Sequence, residues 1–123
     1  MDKLKTLNRI THHYILLEIK RIIANLSEYE YDYVGIDGAV ILGSIIEPLC
    51  EFTVVVDADY DVRAGRIKAR DKLSDTEVQK RLMSQPGSEF YTSRADYVIK
   101  NNSTLDELKE RVFEVCKRIR NER

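Results

Sequence analysis

The chain has 123 residues, and its 20 Lys and Arg against 21 Asp and Glu give a formal net charge of -1. This length favours one domain, residues 1–123, and the balanced charge argues against a nucleic-acid partner. Two distant cysteines lack disulfide or metal-ligand spacing and no apolar stretch is long enough to cross a bilayer, so we expect a cytoplasmic protein without a metal site or a membrane partner.

The first predicted element is helical. Between residues 4 and 26 the apolar residues follow two overlapping stripes, which predicts a helix pair or one helix with a wide apolar face. His12 and His13 lie near the seam of these stripes. Adjacent positions on a helix point in different directions, so the two histidines make a poor metal site and packing is their favoured role.

A short strand is predicted over residues 33–37, ending in the carboxylate of Asp37. Residues 38–44, GAVILGS, follow it with the glycine spacing of a phosphate-binding loop. The segment contains no lysine, and its four intervening residues are apolar. Core packing is therefore the favoured interpretation of this segment.

The chain is organised around residues 52–71, FTVVVDADYDVRAGRIKARD. Its β-branched run predicts a strand buried on both sides in a parallel sheet, because neither face is polar. Asp57 ends this strand and would share a crevice with Asp37 if the two strands were parallel neighbours. Structural capping is the alternative for each, and Asp57, Asp59 and Asp61 can cap the helix that follows.

Arg63, Arg66 and Arg70 are spaced three and four residues apart on this predicted helix. They therefore fall near one helix face and could present several guanidinium groups to an anionic ligand. A solvated helix surface, with Asp59 and Asp71 as ion-pair partners, explains the same spacing. Periodicity alone leaves both interpretations open.

The remaining elements alternate between helix and strand. A capping box over residues 74–77 begins a helix that is broken at residues 86–87, and a third strand is predicted over residues 96–99. Residues 104–107, Thr-Leu-Asp-Glu, form a second predicted capping box, which begins an amphipathic final helix. This alternation indicates an α/β fold with about three strands.

Short segments in a fixed order across nearly the whole chain carry a family resemblance. They are LNRITH at 7–12, LC at 49–50 leading into VVVD at 54–57, RIKARD at 66–71, LS at 73–74, RLMSQ at 81–85 and ADYVIKN at 95–101. Together these segments resemble the carboxy-terminal portion of the dephospho-CoA kinase family. The resemblance implies an incomplete three-layer parallel sheet of the P-loop kinase type, with helical CoA-side and lid elements.

The family reaction is the ATP-dependent phosphorylation of the 3′-hydroxyl of dephospho-CoA, the last step of coenzyme A biosynthesis, with ATP and Mg²⁺. The resemblance implies that His12 and residues 37–44, beginning with Asp37, border the CoA substrate. It places Arg66, Arg70 and Arg81 in a lid over the phosphates, to which the spacing adds Arg63, and it places Asn101 near the adenine. A guanidinium group there could stabilise charge on a transferring phosphoryl group.

The family begins with a Walker A loop ending in Lys-Ser or Lys-Thr, followed by an aspartate thought to act as the base, and these 123 residues contain neither. We therefore expect no retained catalytic residue, no tight ATP or Mg²⁺ binding, weak binding of dephospho-CoA or CoA, and negligible kinase activity from the chain alone. The chain also departs from the family pattern at His13, Gly43, Lys72 and Tyr91, where proline, glutamate, glycine and lysine are usual.

In this family the strand before the phosphate loop lies between the strands matched by residues 33–37 and 52–57. Without it, two apolar strands have unpaired edges, which predicts a homodimer or a complex with a separate amino-terminal fragment. The alternative to a kinase homologue is thus a non-catalytic binding or scaffold module. A nucleotide-binding regulator that uses the arginine face without phosphoryl transfer is a third hypothesis.

Overall fold

The computed structural model describes residues 2–26 and 29–123 and divides the chain into two compact units, Met1–Glu51 and Phe52–Arg123. The first unit contains helix α1, Lys3–Ala24, and a 3-10 turn, Glu47–Leu49. The second contains β1 (Val54–Asp57), α2 (Tyr60–Asp71), α3 (Asp75–Met83), α4 (Ser88–Thr92), β2 (Tyr97–Lys100) and α5 (Leu105–Glu122). The organisation of residues 1–123 as a single domain stays a prediction.

Helix α1 is continuous over 22 residues, so one helix rather than a helix pair follows from the amphipathic pattern. It begins after Asp2, whose carboxylate accepts a hydrogen bond from the Leu4 N–H at 3.0 Å. This side chain satisfies one of the backbone donors that every helix start leaves without an intrahelical partner. None of the α1 side chains is buried. No helix in the described ranges is long and apolar enough to span a bilayer.

The strand predicted over residues 33–37 is wrong. These residues have no regular secondary structure, and the side chains of Tyr33 and Val34 are exposed. A strand needs a neighbouring strand to pair its backbone N–H and C=O groups, and the sheet in the described part of the chain contains only β1 and β2. The condition for placing Asp37 beside Asp57, two neighbouring parallel strands, is therefore not met.

The predicted α/β class is confirmed, with a parallel sheet of two strands, β1 and β2, where about three were expected. The two strands pair in register from Val54 beside Tyr97 to Asp57 beside Lys100. Helix α5 packs against β2, and its Val115 joins the buried Tyr97 and Ile99 in the core of this unit. The Tyr97 hydroxyl donates to Glu122 at 2.6 Å, which ties the end of α5 to β2.

Burial of β1 on both sides is a second expectation that the structure corrects. Val54 and Val56 are 41% and 59% exposed, although they lie beside the buried Tyr97 and Ile99 in the register. The reason is that on this face α5 packs against β2, which leaves the β1 side chains of the same face uncovered. An uninterrupted β-branched run therefore predicted the strand but not its position in the sheet.

The helix boundaries follow the local sequence closely. The capping box at the start of α3 is confirmed: Ser74 accepts from the Glu77 N–H, and the Glu77 carboxylate accepts from the Ser74 N–H at 2.8 Å. The break at Pro86 and Gly87 is confirmed as well, because α3 ends before them and α4 begins after them. The second predicted capping box is only half formed: Thr104 accepts from the backbone N–H of Glu107 at 3.3 Å, but the structure shows no return bond from the Thr104 N–H to the Glu107 carboxylate.

Candidate phosphate-binding site

Charged side chains meet where the two parallel strands end. Lys100 closes β2 beside Asp57, which closes β1, and the Lys100 ammonium donates to the Asp57 carboxylate. The Ser88 hydroxyl, from the start of α4, donates to the other Asp57 oxygen at 2.8 Å. Burial raises the pKa of Asp57. This effect is outweighed by the hydrogen bonds from Lys100 and Ser88 and by the positive charges of Lys100 and Arg63, so the pKa of Asp57 lies below its ordinary value. The carboxylate is therefore charged at neutral pH.

The loop after β2 is held against β1 and α2 by hydrogen bonds. The Asn101 N–H donates to the Asp57 carbonyl at 2.7 Å, and the Asn102 side-chain oxygen accepts from the Asp59 N–H at 2.8 Å. Arg66 reaches the same loop from α2 and donates to the carbonyl of Asn101 at 2.6 Å. Arg66 thus fixes the loop in which Asn101, the predicted adenine-side residue, lies.

Asp59 occupies the N-cap position of α2, but its side chain makes no capping hydrogen bond there. Its carboxylate instead lies 3.8 Å from the Lys100 ammonium. Asp61 lies in the first turn of α2, where a negative charge is favoured by the helix dipole. The predicted acidic start of this helix is therefore real, while the predicted side-chain cap at Asp59 is wrong.

Two of the predicted lid arginines converge on one carboxylate at the end of α2. Arg70 donates through Nε to Asp71 Oδ1 at 2.7 Å and through Nη2 to Oδ2 at 2.9 Å. Arg81, from α3, donates through Nη1 to the same Oδ2. The hydrogen bond and charge of Arg70, followed by those of Arg81, lower the pKa of Asp71 from 3.8 to about 2. The two guanidinium groups thereby share one oxygen atom, although both side chains are exposed.

The structure separates the four predicted lid arginines into three environments. Arg70 and Arg81 form the Asp71 cluster, and Arg66 is bound to the loop carbonyls. Arg63 lies on α2 one helix turn before Arg66 and is half-buried. Its Nε is enclosed without a hydrogen-bond partner among the described residues. An enclosed donor without an acceptor is energetically costly, because it has lost its hydrogen bonds to water. Their common role in binding phosphate stays a prediction.

The glycine-spaced segment 38–44 does not present a free set of backbone donors. The Gly43 N–H donates to the carboxylate of Glu47 at 2.6 Å. The Ser44 hydroxyl donates to the Ile41 carbonyl at 2.7 Å and accepts from the Ile46 N–H at 3.1 Å. A carboxylate on the loop repels an anion, so this geometry agrees with the sequence-based preference against a phosphate cradle.

A family model described as dephospho-CoA kinase matches residues 1–107. This chain belongs to the dephospho-CoA kinase family. A dephospho-CoA kinase from Fusobacterium nucleatum is 35% identical over 119 residues, which cover 96% of this chain and 60% of that protein. One from Saccharomyces cerevisiae is 30% identical over 119 residues, covering 96% of this chain and 49% of the relative. The chain thus spans between about half and 60% of the length of these two relatives.

Solved structures give the same family. A crystal structure from Thermus thermophilus superposes with a TM-score of 0.72 at 25% identity, covering 94% of this chain and 59% of that one. The dephospho-CoA kinase from Campylobacter jejuni superposes with a TM-score of 0.65 at 25% identity, covering 94% and 57%. The resemblance to dephospho-CoA kinases that the short segments carry is therefore confirmed, together with the P-loop kinase type of fold.

The two predicted substrate-side residues of this dephospho-CoA kinase homologue both lie in the first unit. His12 is half-buried on α1, beside His13, whose ring meets Tyr14 edge-on at 5.9 Å between centroids. Asp37 is exposed in the irregular segment before the glycine-spaced loop. Their contact with CoA stays a prediction, as does that of Asn101 with adenine.

Sequence reasoning missed Lys100 and Ser88 as parts of the charged cluster at the strand ends. A signal for Lys100 was present, because the β1 and β2 segments each end in a charged residue, of opposite sign, just before a helix or loop. The sequence contains no such signal for Ser88, since its contact with Asp57 depends on the position of α4 in the fold after the break at residues 86–87. Asp71 was considered only as an ion-pair partner, whereas it joins Arg70 to Arg81 across two helices.

Proposed function

We propose that this chain supplies the substrate-side and lid residues for ATP-dependent phosphorylation of the 3′-hydroxyl of dephospho-CoA. The observation that carries this proposal is the convergence of Arg70 and Arg81 at the α2–α3 junction of a chain that aligns with dephospho-CoA kinases over 96% of its length. Guanidinium groups match phosphate oxygens in charge and planar geometry. The lid arginines would bind phosphate groups of the reactants, with His12 and Asp37 on the CoA side and Asn101 on the adenine side.

The arginine cluster retains donors for such a ligand. Asp71 uses Nε and one Nη of Arg70, and one Nη of Arg81, out of five N–H groups on each guanidinium. The side chains of Arg70 and Arg81 are 72% and 48% exposed. An anion can therefore reach the remaining N–H groups without displacing Asp71.

The segment with the glycine spacing of a phosphate loop does not offer the contacts that a Walker A loop gives to ATP, because it contains no lysine. The Gly43 N–H is bound to the Glu47 carboxylate rather than open to a phosphate. We infer that the chain alone binds dephospho-CoA or CoA weakly, does not bind ATP or Mg²⁺ tightly, and does not catalyse the reaction.

Calorimetric titration with dephospho-CoA tests the ligand-binding part of this proposal. We expect weak saturable binding that weakens at least about tenfold in an Arg70→Gln/Arg81→Gln double variant, because a hydrogen bond to a charged group contributes about 1.5–3 kcal/mol when formed. Arg111→Gln/Arg120→Gln is the matched control. It removes two guanidinium groups from α5, outside the cluster.

Two outcomes of this titration would contradict the assignment. The first is the absence of saturable heat with the unchanged chain. The second is equal loss of affinity in the control and in Arg70→Gln/Arg81→Gln, which would show that only overall charge is sensed. Circular dichroism of each variant checks that the helical content is unchanged.

A second candidate function is a binding module that dimerises or takes a strand from a separate amino-terminal fragment. The observation that favours it is strand β1, where Val54 and Val56 are exposed and one edge is unpaired by any strand among the described residues. An open strand edge next to exposed apolar side chains favours pairing with another chain.

Light scattering over a wide concentration range tests this second function. We expect self-association that Val56→Lys weakens, since a charged side chain next to an open edge opposes strand pairing. Val112→Lys on α5 is a control, because it places the same charge on an exposed apolar position outside the sheet. A strict monomer with cooperative unfolding would contradict dimerisation.

A further inference from the structure

Asp71 lies at a position where helix electrostatics disfavour a carboxylate. It is the last residue of α2, where the helix dipole is negative, and the residue after it, Lys72, adopts a left-handed conformation that ends the helix. Its carboxylate is nevertheless bound on both oxygens, by Arg70 and Arg81. The carboxylate is therefore stabilised at this position mainly by its two arginine partners.

The two guanidinium groups would repel one another without Asp71. Arg70 Nη2 and Arg81 Nη1 both donate to Oδ2, so the two cations meet at a single oxygen atom. One negative charge between them cancels much of that repulsion and fixes two long side chains that would otherwise sample many rotamers. If such side chains are ordered before a ligand arrives, less conformational entropy is lost when the ligand binds.

We propose that Asp71 is a positioning residue that holds Arg70 and Arg81 together as one preformed phosphate-binding pair. This inference rests on the proposed function, since it assumes that these arginines bind phosphate groups. It goes beyond that function because it states that the phosphate affinity of the two arginines depends on a carboxylate, although the carboxylate itself repels phosphate. Asp71 contributes by organising the cations, and this gain exceeds its own unfavourable charge.

A second ion pair between the same helices provides a matched control. Lys68 of α2 donates to Asp75 of α3 at 2.7 Å, and neither side chain is hydrogen-bonded to or ion-paired with Arg70 or Arg81 in the described structure. Asp75→Asn therefore removes one negative charge and one α2–α3 ion pair, as Asp71→Asn does. Only Asp71→Asn releases Arg70 and Arg81.

The experiment is calorimetric titration of inorganic tripolyphosphate into the full chain at physiological ionic strength. We expect Asp71→Asn to weaken binding about 3- to 10-fold relative to Asp75→Asn, which corresponds to the cost of ordering a long side chain on binding. Asp71→Glu should restore part of the affinity, because it returns the charge. In the Arg70→Gln/Arg81→Gln background, Asp71→Asn should cause no further loss.

Nitrogen-15 NMR of the arginine side chains gives a readout that a change in stability alone would not produce. We expect the Arg70 Nε–H signal to be separated from those of solvated arginines in the unchanged chain and in Asp75→Asn. In Asp71→Asn it should move to the position typical of solvated arginines, because its acceptor has lost its charge.

The outcomes separate this inference from the proposed function. Equal or tighter tripolyphosphate binding by Asp71→Asn, with the arginine variants still weakened, would overturn the positioning role alone. No binding by the unchanged chain, or binding that is insensitive to Arg70→Gln/Arg81→Gln, would overturn the phosphate role of the arginines and this inference with it.

Discussion

Asp57 and Lys100 close the two neighbouring strands at the same level of the register, and their side chains form an ion pair there. Asp57 is 7% exposed, whereas the Lys100 side chain is 41% exposed. The buried Asp57 carboxylate therefore needs the Lys100 charge to offset its lost hydration, whereas water can solvate the Lys100 ammonium. Ser88 adds α4 to the same carboxylate, so three elements meet at this point.

This asymmetry predicts unequal effects of removing the two partners. Lys100→Met leaves a buried carboxylate without its cation, while Asp57→Asn leaves a lysine that can move into solvent. We expect Asp57→Asn to cost about 1 kcal/mol, or roughly 4–8 °C in Tm, and Lys100→Met to lower Tm further. The Asp57→Asn/Lys100→Met double variant should recover part of that larger loss. Thermal unfolding near neutral pH measures all three, and additive losses would count against the coupling.

Lys72 predicts a stabilising substitution at the end of α2. It has φ 53° and ψ 42°, a left-handed conformation that side chains with a Cβ disfavour and glycine adopts freely. We expect Lys72→Gly to raise stability by about 0.5–1 kcal/mol, because relief of this strain exceeds the added entropy of the unfolded chain.

The control for this change is Lys72→Ala, which removes the same charge and keeps the Cβ. It should leave the urea midpoint within about 0.5 kcal/mol of the unchanged chain. If Lys72→Gly lowered the midpoint, the left-handed conformation would not be the strain that we infer.

The capping box at the start of α3 predicts a loss on truncation. Ser74 accepts from the Glu77 N–H, and its own N–H donates to the Glu77 carboxylate at 2.8 Å. Ser74→Ala should destabilise the chain by about 1 kcal/mol, since a backbone donor loses its acceptor. Ser74→Asp keeps an acceptor and should recover most of the loss. Equal urea midpoints for the alanine variant and the unchanged chain would contradict this role.

The pKa of Asp71 predicts a specific acid titration. Arg70 and then Arg81 lower it from 3.8 to about 2. Because the folded value is depressed, the stability from this group is present in full above its ordinary pKa and is lost as the pH falls towards 2. Arg70→Gln should raise the pKa of Asp71, and Arg81→Gln should raise it less. Carbon-13 NMR titration of the carboxyl group measures this, and an unchanged value in Arg70→Gln would disagree with the geometry.

Local patterns in the sequence predict most of the secondary structure of this chain. The amphipathic stripes gave α1, the β-branched run gave β1, and the Ser74 box gave α3, because each feature is decided within a few residues. The strand expected at residues 33–37 depends instead on pairing with another strand, and the sheet in the described part of the chain contains only β1 and β2. The exposure of Val56 has the same cause, since burial is decided by which strand α5 covers.

The candidate site shows the same division. The spacing of Arg63, Arg66 and Arg70 correctly placed them on one helix, but their partners come from distant parts of the sequence. Arg66 bonds a carbonyl 35 residues away, and Lys100 pairs with a carboxylate 43 residues away. Such contacts follow from the strand register and from the turn between α2 and α3, which no local pattern specifies.

We propose that this member of the dephospho-CoA kinase family carries the substrate-side and lid residues of the reaction but does not catalyse phosphoryl transfer on its own. Measuring CoA formation from ATP and dephospho-CoA with the purified chain tests this claim most directly. We predict no CoA above the protein-free blank, with Arg70→Gln indistinguishable from the unchanged chain. Robust turnover that Arg70→Gln abolishes would contradict it.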